Sequence, residues 1–495
     1  MATSTPKSDT PVAEAPAAFR RRLGVGSVVF MVVAAAAPMT VVVATFPLIF
    51  SISGTVAAPS YFIAAGIILA LFSVGFTVMS KYVKNAGAFY SYIQAGLGRL
   101  VGSGSATLAL GSYAVLLVGV NAYVGVATDN VLQHFTGIAL PWWFWAIISL
   151  AIVAFLGYRD IELSSRVLGV ALAVETLAVI ILDIGVIAHG GAHGLNAEPF
   201  APSQWLAGAP GLGLMFAFLA FFGFEATAVF RNEAKDPDRT IPRATYIAVG
   251  SIAVLYALSS WAVAMGAGTG QAVAAAGKDP ENFVLNLATT YVSPILQDVM
   301  QILVATSLFA CVLSFHNVIA RYEFTLGGKG LLPRSLSIVH PRHHSPARAS
   351  LVASVVAVVI TVIAAVAQMD PVVQIYTWFT GAATLGIIVL MALTCLAVIV
   401  FFRRSGHDRR VWQTIIAPVL GFIGLAVVLG MVLANYPLLV GNVLSAVIIA
   451  ILVLVVFLLG LVQALVMRKR NPAQYLALES DQLEPSAMPE SAEVA

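Results

Sequence analysis

The chain has 495 residues, of which 60% are hydrophobic and only 10% are charged. Because soluble globular domains carry roughly 25% charged residues, this composition excludes an ordinary soluble domain and predicts an integral membrane protein. The formal net charge of +3 gives no support for a nucleic-acid partner. Both cysteines, Cys311 and Cys395, lie in apolar segments, so we interpret them as packing residues rather than a disulfide or a metal pair.

Twelve segments are apolar over about 20 residues, the length that a membrane-spanning helix needs. Numbered as spans 1 to 12, they cover residues 24–50, 56–79, 102–131, 141–158, 166–189, 210–231, 242–267, 293–320, 350–369, 373–402, 412–434 and 440–467. They predict an all-α integral membrane domain over residues 20–470, between disordered cytoplasmic tails at residues 1–19 and 471–495. No connection is long enough for a soluble catalytic domain, so the function is expected to lie within the bilayer.

The distribution of positive charge predicts the orientation of the spans. With twelve spans and both termini in the cytoplasm, every one of the 26 lysines and arginines except Lys278 lies on the inner side. Lysine and arginine are enriched in cytoplasmic loops, and an odd number of spans would place several basic clusters outside. We therefore expect a multi-pass plasma-membrane protein with both termini inside.

Span 1 contains a candidate helix break. Four alanines, Ala34–Ala37, precede Pro38, and proline lacks a backbone donor and clashes with the preceding turn. At a rise of about 1.5 Å per residue, Ala35 lies about 20 Å along the helix from Arg22, near the middle of the membrane. Taken alone, Pro38 is explained by a simple proline kink.

Span 6 contains a second candidate break, because Gly223 and Glu225 follow an apolar run at a similar depth. An ionisable side chain within a membrane is costly and usually functional. Two interrupted helices five spans apart, entering from opposite sides, predict an inverted repeat whose breaks meet a substrate near the midplane. The predicted substrate-binding residues are Ala35, Ala36, Ala37, Phe222, Gly223 and Phe224, with the two phenylalanines as candidate aromatic lids.

Four motifs occur in order between the spans. The first is Gly223-Phe-Glu225, continued by Glu233-Ala-Lys-Asp-Pro237 and Arg239-Thr-Ile-Pro-Arg243. The others are Lys84-Asn-Ala-Gly-Ala-Phe-Tyr-Ser-Tyr92, the Arg159–Arg166 entry to span 5, and Ala320-Arg-Tyr-Glu with Gly327-Gly-Lys-Gly-Leu-Leu-Pro333. With these motifs the chain resembles the amino acid–polyamine–organocation (APC) transporter superfamily over spans 1 to 10.

This resemblance implies the LeuT-type fold, in which spans 1–5 and 6–10 form a five-plus-five inverted repeat and spans 11 and 12 are appended. It also implies secondary active transport of an amino acid or a related amine by alternating access. The chain departs from the family at span 1, where Ala34-Ala-Ala-Ala-Pro38 replaces the Gly-Ser-Gly-like break of many members. Alanine hinders close backbone approach, so the carboxylate cradle is expected to be shifted or wider.

Glu175 lies near the middle of span 5, where some relatives have a lysine that is thought to stand in for a bound sodium ion. A buried carboxylate there could load and release a proton, so we favour proton-coupled symport. The simpler alternative is a glutamate that is hydrogen-bonded to a neighbouring helix. Sodium stays open, because Ser307, Ser314 and Asn317 on span 8 offer neutral oxygens suited to a hard cation.

The resemblance also assigns Glu225 to gating or coupling, since the matching glutamate of relatives takes part in gating and proton sensing. Asp183, two turns beyond Glu175, is expected to be a solvated helix end. Tyr123 and Tyr376 could line the cavity, but packing or interfacial anchoring explains them as well. The predicted coupling or gating residues are thus Glu175, Glu225, Ser314 and Asn317.

The predicted partners are a small-molecule substrate and the lipid bilayer, with the oligomeric state left open. We expect no cofactor or metal besides the coupling ion, which is a proton or, in the alternative, sodium. An exchanger is a second alternative. An integral membrane enzyme is a distant one, because the acidic residues and His316 within the spans show no paired spacing of a nucleophile with a base or of metal ligands.

Overall fold

The computed structural model describes residues 24–83, 88–159, 165–225, 227, 234–343 and 345–480. Within these ranges the regular secondary structure is helical. Nine of the described helices are long and apolar enough to cross a membrane, and the shorter apolar helices Pro38–Ser53, Trp142–Tyr158 and Pro210–Leu219 lie in predicted spans 1, 4 and 6. The predicted all-α membrane architecture is therefore confirmed, whereas the count of twelve crossings stays a prediction.

The span numbers are kept for the corresponding helices. Span 1 consists of Val25–Ala35 and Pro38–Ser53, and the described helix of span 6 is Pro210–Leu219. The other spans are Ala58–Met79, Arg99–Thr136, Trp142–Tyr158, Ser165–His189, Pro237–Ala267, Pro294–Gly328, Ala347–Val366, Pro371–Ser405, Trp412–Val440 and Val443–Arg470. Shorter helices in the connections and the tail are Ala88–Leu97, Pro202–Trp205, Ala272–Lys278, Phe283–Tyr291 and Pro472–Ser480.

Span 3 is the central helix of the bundle. It packs against spans 4, 8, 10 and 12, while span 2 packs against span 7 and span 6 packs against span 11. Close approach depends on small residues: a Cβ added at Gly119 of span 3 would meet the side chain of Phe379 on span 10 at 3.1 Å. Span 12 is largely exposed along its apolar length, as expected for a helix whose surface faces lipid.

The tail differs in part from the prediction of disorder over residues 471–495. Residues Pro472–Ser480 form a helix whose first turn is capped by Asn471, which accepts a hydrogen bond from the Gln474 amide at 3.2 Å. Leu478 is buried, and its carbonyl accepts a hydrogen bond from Gln94 at 2.7 Å. The helix forms because this short segment has both a cap and an apolar contact with the membrane domain.

Several predictions fall outside the described residues. They are the tail at residues 1–19, the end of the chain at 481–495, the first four residues of the Lys84 motif, residues 160–164 of the span 5 entry, and residues 228–233, which include Glu233.

Candidate functional site

Span 1 is interrupted directly before Pro38. Its first helix ends at Ala35, and Ala37 has a left-handed backbone with φ 45° and ψ 72° before the helix resumes at Pro38. Proline fits the first helical position but disfavours the right-handed helical conformation in the residue before it. The interruption at Ala36 and Ala37 thus follows from local chain chemistry, at the cost of one left-handed alanine.

Glu175 of span 5 meets this break. Its Oε2 accepts hydrogen bonds from the Met39 amide at 3.2 Å and from the Ser307 hydroxyl of span 8 at 3.0 Å. The Thr40 hydroxyl donates to Ser307 Oγ at 3.2 Å. A single buried carboxylate oxygen therefore joins the start of the second half of span 1 to spans 5 and 8.

The carbonyl exposed by the same break also has a partner. The Tyr256 hydroxyl of span 7 donates to the carbonyl oxygen of Ala36 at 3.1 Å. A buried tyrosine hydroxyl normally finds a hydrogen-bond partner, and here the partner is a backbone group that the helix has released. The break in span 1 is therefore fixed from three neighbouring helices, spans 5, 7 and 8.

The described helix of span 6 ends at Leu219, and turns occupy residues 220–225. This is where the sequence predicts a helix break. Gly223 has φ 103°, a conformation that only glycine adopts readily. The Gly223 amide donates to Oε2 of Glu225 at 3.0 Å, and the Tyr113 hydroxyl of span 3 donates to Oε1 at 2.8 Å. Glu225 therefore caps its own break and also links it to span 3.

The two phenylalanines of the second break are buried. The ring of Phe224 packs against Phe72 and Phe76 of span 2, with centroids 5.8 Å and 6.4 Å away. Phe224 is thus part of an aromatic cluster between spans 2 and 6. Phe222 lies beside Gly223 at the break itself, where the sequence analysis places a lid.

Two predicted coupling residues lie further along span 8 than the Glu175 contact. Ser314 is exposed and Asn317 is half-buried, and Ser314 lies seven residues, about 10 Å along the helix, beyond Ser307. Of the three span 8 residues considered for cation binding, Ser307 is the one that contacts Glu175.

Tyr113 and Tyr256 are site residues that the sequence analysis missed. A signal was present, because each is a tyrosine within an apolar helix, where a buried hydroxyl usually finds a hydrogen-bond partner. Tyr376 was considered and lies near the second half of span 1, with its hydroxyl 3.2 Å from Thr45 Oγ1 and its ring centroid 5.1 Å from that of Tyr123.

Asp183 is held within the bundle rather than at a free helix end. The Ser259 hydroxyl of span 7 donates to its Oδ2 at 2.5 Å. Asp183 also lines an apolar groove of about 630 Å³ between spans 5 and 7, together with Ile184, Val254 and Trp261. Across the described residues, no three His, Cys, Asp or Glu side chains are placed to hold a metal ion.

The chain is similar in sequence to known permeases and transporters. Residues 23–459 match the family described as amino acid permease. The chain is 26% identical over 411 residues to the branched-chain amino acid permease BcaP of Lactococcus lactis subsp. cremoris, which covers 76% of this chain and 83% of that relative. It is 28% identical over 355 residues to an uncharacterized transporter of Mycobacterium tuberculosis, covering 69% of this chain and 68% of that protein.

Among solved structures, the chain is similar to MhsT in complex with L-phenylalanine. The TM-score is 0.56 at 14% sequence identity, and the match covers 82% of this chain and 98% of that chain. At this identity the likeness shows the fold alone, and it confirms the predicted LeuT-type arrangement.

Proposed function

The chain belongs to the amino acid permease family, and from this premise we propose that it is a secondary active transporter of amino acids or related amines. In this proposal the protein crosses the plasma membrane twelve times, with both termini in the cytoplasm. It works by alternating access, with Glu175 as the residue that carries the coupling proton. Ala36, Ala37, Phe222 and Gly223 then line the substrate site at the two breaks.

The observation that carries this proposal is the position of the Glu175 carboxylate. One of its oxygens accepts hydrogen bonds from the Met39 amide and the Ser307 hydroxyl. Hydrogen bonds to an ionised acceptor are roughly twice as strong as neutral ones. Protonation of Glu175 therefore weakens the contacts that hold the break of span 1 to spans 5 and 8, so proton occupancy is linked to the geometry of the substrate site.

Other titratable groups near Glu175 are few. Tyr256 of span 7 and Cys311 of span 8 interact electrostatically with it. Neither carries a fixed positive charge, and no salt bridge to Glu175 occurs within the described residues. A proton is therefore the natural partner for its negative charge, which favours proton coupling over a structural ion pair.

Glu225 has a separate role in this proposal, as the gate residue of span 6. It holds Gly223 through its own turn and reaches Tyr113 on span 3. Opening of the site requires span 6 to move relative to span 3, because discontinuous helices move against the rest of the bundle in alternating access. The hydrogen bond between Tyr113 and Glu225 must then break.

Transport in proteoliposomes tests the proposal. The purified protein is reconstituted in sodium-free potassium buffer, an inward proton gradient is imposed, and accumulation of radiolabelled amino acids is measured. We expect accumulation that collapses when the gradient is dissipated. Glu175→Gln should abolish gradient-driven accumulation while retaining exchange of internal for external substrate.

Glu323→Gln is the matched control, because Glu323 is also a buried glutamate but lies on span 8 beside a small cavity between spans 3, 8 and 9. It should accumulate substrate as the native protein does. If uptake ignores the proton gradient but follows a sodium gradient, sodium-coupled symport replaces the proposal. If only exchange is observed, an exchanger replaces it. Native coupling in Glu175→Gln would refute the role of Glu175.

A further inference from the structure

We propose that the tail helix, Pro472–Ser480, is an inhibitory latch: in its docked position it slows opening of the site, and its release accelerates transport. This inference rests on the proposed transport function, in which the tail lies on the cytoplasmic side, and adds a means of regulation to it. Two observations carry the inference. The tail helix is bound to three separate elements of the membrane domain, and one of these elements packs against the break of span 6.

The first contact of the tail helix is with the connection that follows span 8. The Gln474 side chain donates a hydrogen bond to the carbonyl oxygen of Lys329 at 3.1 Å. The next residue, Gly330, has φ 75°, and a Cβ at this position would overlap the Gln474 amide. Glycine at 330 therefore allows both the turn after span 8 and the close approach of the tail helix.

The other contacts are with the connecting helix, which is Ala88–Leu97 between spans 2 and 3, and with span 3 itself. The Gln94 side chain of the connecting helix donates to the carbonyl oxygen of Leu478 at 2.7 Å. The guanidinium of Arg99, the first residue of span 3, lies 5.5 Å from the ring centroid of Tyr475, within the range of a cation–π contact. One helix of nine residues thus joins the end of span 8, the connecting helix and the start of span 3.

The connecting helix packs against the aromatic cluster of the second break. The ring centroid of Phe89 lies 6.1 Å from that of Phe72 and 6.0 Å from that of Phe76. These are the two rings of span 2 against which Phe224 packs. The position of the connecting helix therefore affects the packing of Phe224 beside the break.

The next residue of the connecting helix, Tyr90, leads to the gate residue of the same break. Its ring centroid lies 5.7 Å from that of Tyr322 on span 8, which in turn lies 5.9 Å from that of Tyr113. Tyr113 donates the hydrogen bond to Glu225. The ammonium group of Lys329 lies 5.6 Å from the Tyr90 centroid, so the residue that binds the tail helix through its carbonyl also contacts this aromatic column.

The docked tail helix favours the conformation in which the second break is held to span 3. When span 6 moves relative to span 3, the rings next to the break must rearrange. The connecting helix carries two of these rings, and the tail helix ties it to spans 3 and 8. A segment that binds one conformation more tightly shifts the equilibrium toward that conformation. Because one net hydrogen bond corresponds to a factor of about two to ten in an equilibrium constant, release of the tail helix is expected to favour opening by about that factor.

Two leucines of the tail helix provide a matched pair of substitutions. The Leu478 side chain is 2% exposed, whereas Leu476 is 57% exposed. Leu478→Asp places a charge in an apolar contact and should release the tail helix, while Leu476→Asp adds the same charge at an exposed position. Hydrogen exchange of residues 472–480 in the full-length protein measures docking, because so short a helix is not stable alone. Exchange should be fast in Leu478→Asp and slow, as in the native protein, in Leu476→Asp.

Gradient-driven uptake in proteoliposomes measures the effect on transport. We expect Leu478→Asp to raise the maximal uptake rate by about two- to tenfold and Leu476→Asp to match the native protein. A native or lower rate in Leu478→Asp would overturn the inference, because it would show that the tail helix only stabilises the fold. Exchange that stays slow in Leu478→Asp would contradict the docking that the latch requires. If the native protein itself transports no amino acid or amine, the proposed function fails, so the two failures are distinguishable.

A double-mutant cycle tests whether Tyr90 links the tail helix to the gate. Tyr90→Leu removes the ring that packs against Tyr322, and Tyr90→Phe keeps it. Leu478→Asp should accelerate uptake less in the Tyr90→Leu background than in the native one, and should accelerate it fully in the Tyr90→Phe background. Equal acceleration in all three backgrounds would overturn Tyr90 as the link.

Discussion

The left-handed alanine at the first break gives a sharp test of the structure. Ala37 has φ 45° and ψ 72°, and apart from Gln368 it is the one non-glycine residue with positive φ in the described parts of the chain. An L-residue pays roughly 1–2 kcal/mol for this conformation, whereas glycine adopts it freely. Ala37→Gly therefore relieves strain, while the same change at Ala36 relieves none.

Apart from the backbone strain, the two substitutions to glycine change the free energy of unfolding by similar amounts. Ala36 is 5% exposed and Ala37 is 7% exposed, so each substitution removes a methyl group of similar burial, worth about 0.8 kcal/mol. Each also adds unfolded-state entropy that costs about 0.4–1 kcal/mol. We therefore expect Ala36→Gly to destabilise by about 1–2 kcal/mol and Ala37→Gly to be close to neutral, with a difference between them of about 1–2 kcal/mol.

Equilibrium unfolding in mixed micelles measures this difference, and both variants are compared with the native protein in the same detergent. The proteoliposome uptake assay reports in parallel whether the relaxed break still supports transport. If Ala37→Gly destabilises as much as Ala36→Gly does, the strained left-handed conformation at residue 37 is wrong, and with it the placement of the break directly before the proline.

Three further outcomes are expected. Tyr113→Phe should destabilise the protein by about 1–3 kcal/mol, because it leaves a buried Glu225 oxygen without its donor. Tyr123→Phe should be neutral or stabilising, because the hydroxyl of Tyr123 is buried without a partner in the described structure. Unfolding midpoints distinguish the two variants. Gly211→Ala should destabilise by about 1–3 kcal/mol, since its Cβ would overlap a backbone carbonyl of span 11, and unfolding free energy measures this too. The Arg410 side chain donates a hydrogen bond to Asp408 in the loop after span 10 and lowers the pKa of that carboxyl. Because the folded pKa lies below the unfolded one, the stabilisation, below about 1 kcal/mol, is present above about pH 4 and is lost as pH falls. The stabilities of the native protein and Asp408→Asn should therefore converge in acid.

Both helix breaks could be predicted from the sequence, because they depend on local chain chemistry. Pro38 lacks a donor and constrains the residue before it, and Gly223 is free to take φ 103°. The depth of each break follows from the helical rise, which needs no tertiary information. The all-α class follows from apolar segment length for the same reason.

The partners of the breaks could not be predicted in this way. Residues seven positions apart lie on nearly the same face of a helix, so Ser307 and Ser314 were equivalent candidates from periodicity. Only the depth at which span 8 passes span 5 selects Ser307 for Glu175. The contacts of Tyr113 and Tyr256 join residues more than 100 positions apart, and such contacts depend on how the helices pack.

The tail helix shows a different limit. Composition favoured disorder after residue 470, yet Asn471 and Pro472 form a local start signal for a helix. Nine residues of helix are not stable alone in water. The contact of Leu478 with the membrane domain stabilises this helix, and nothing in the tail sequence alone reveals that contact.

The two carboxylates share one arrangement although they come from different places in the chain. Glu175 belongs to span 5 and reaches a neighbouring broken helix, while Glu225 belongs to the broken helix itself and reaches span 3 through Tyr113. In both cases one carboxylate caps an amide released by a break and also connects that break to an unbroken helix. Loss of negative charge at either residue therefore weakens two kinds of contact at once, the cap and the link between helices.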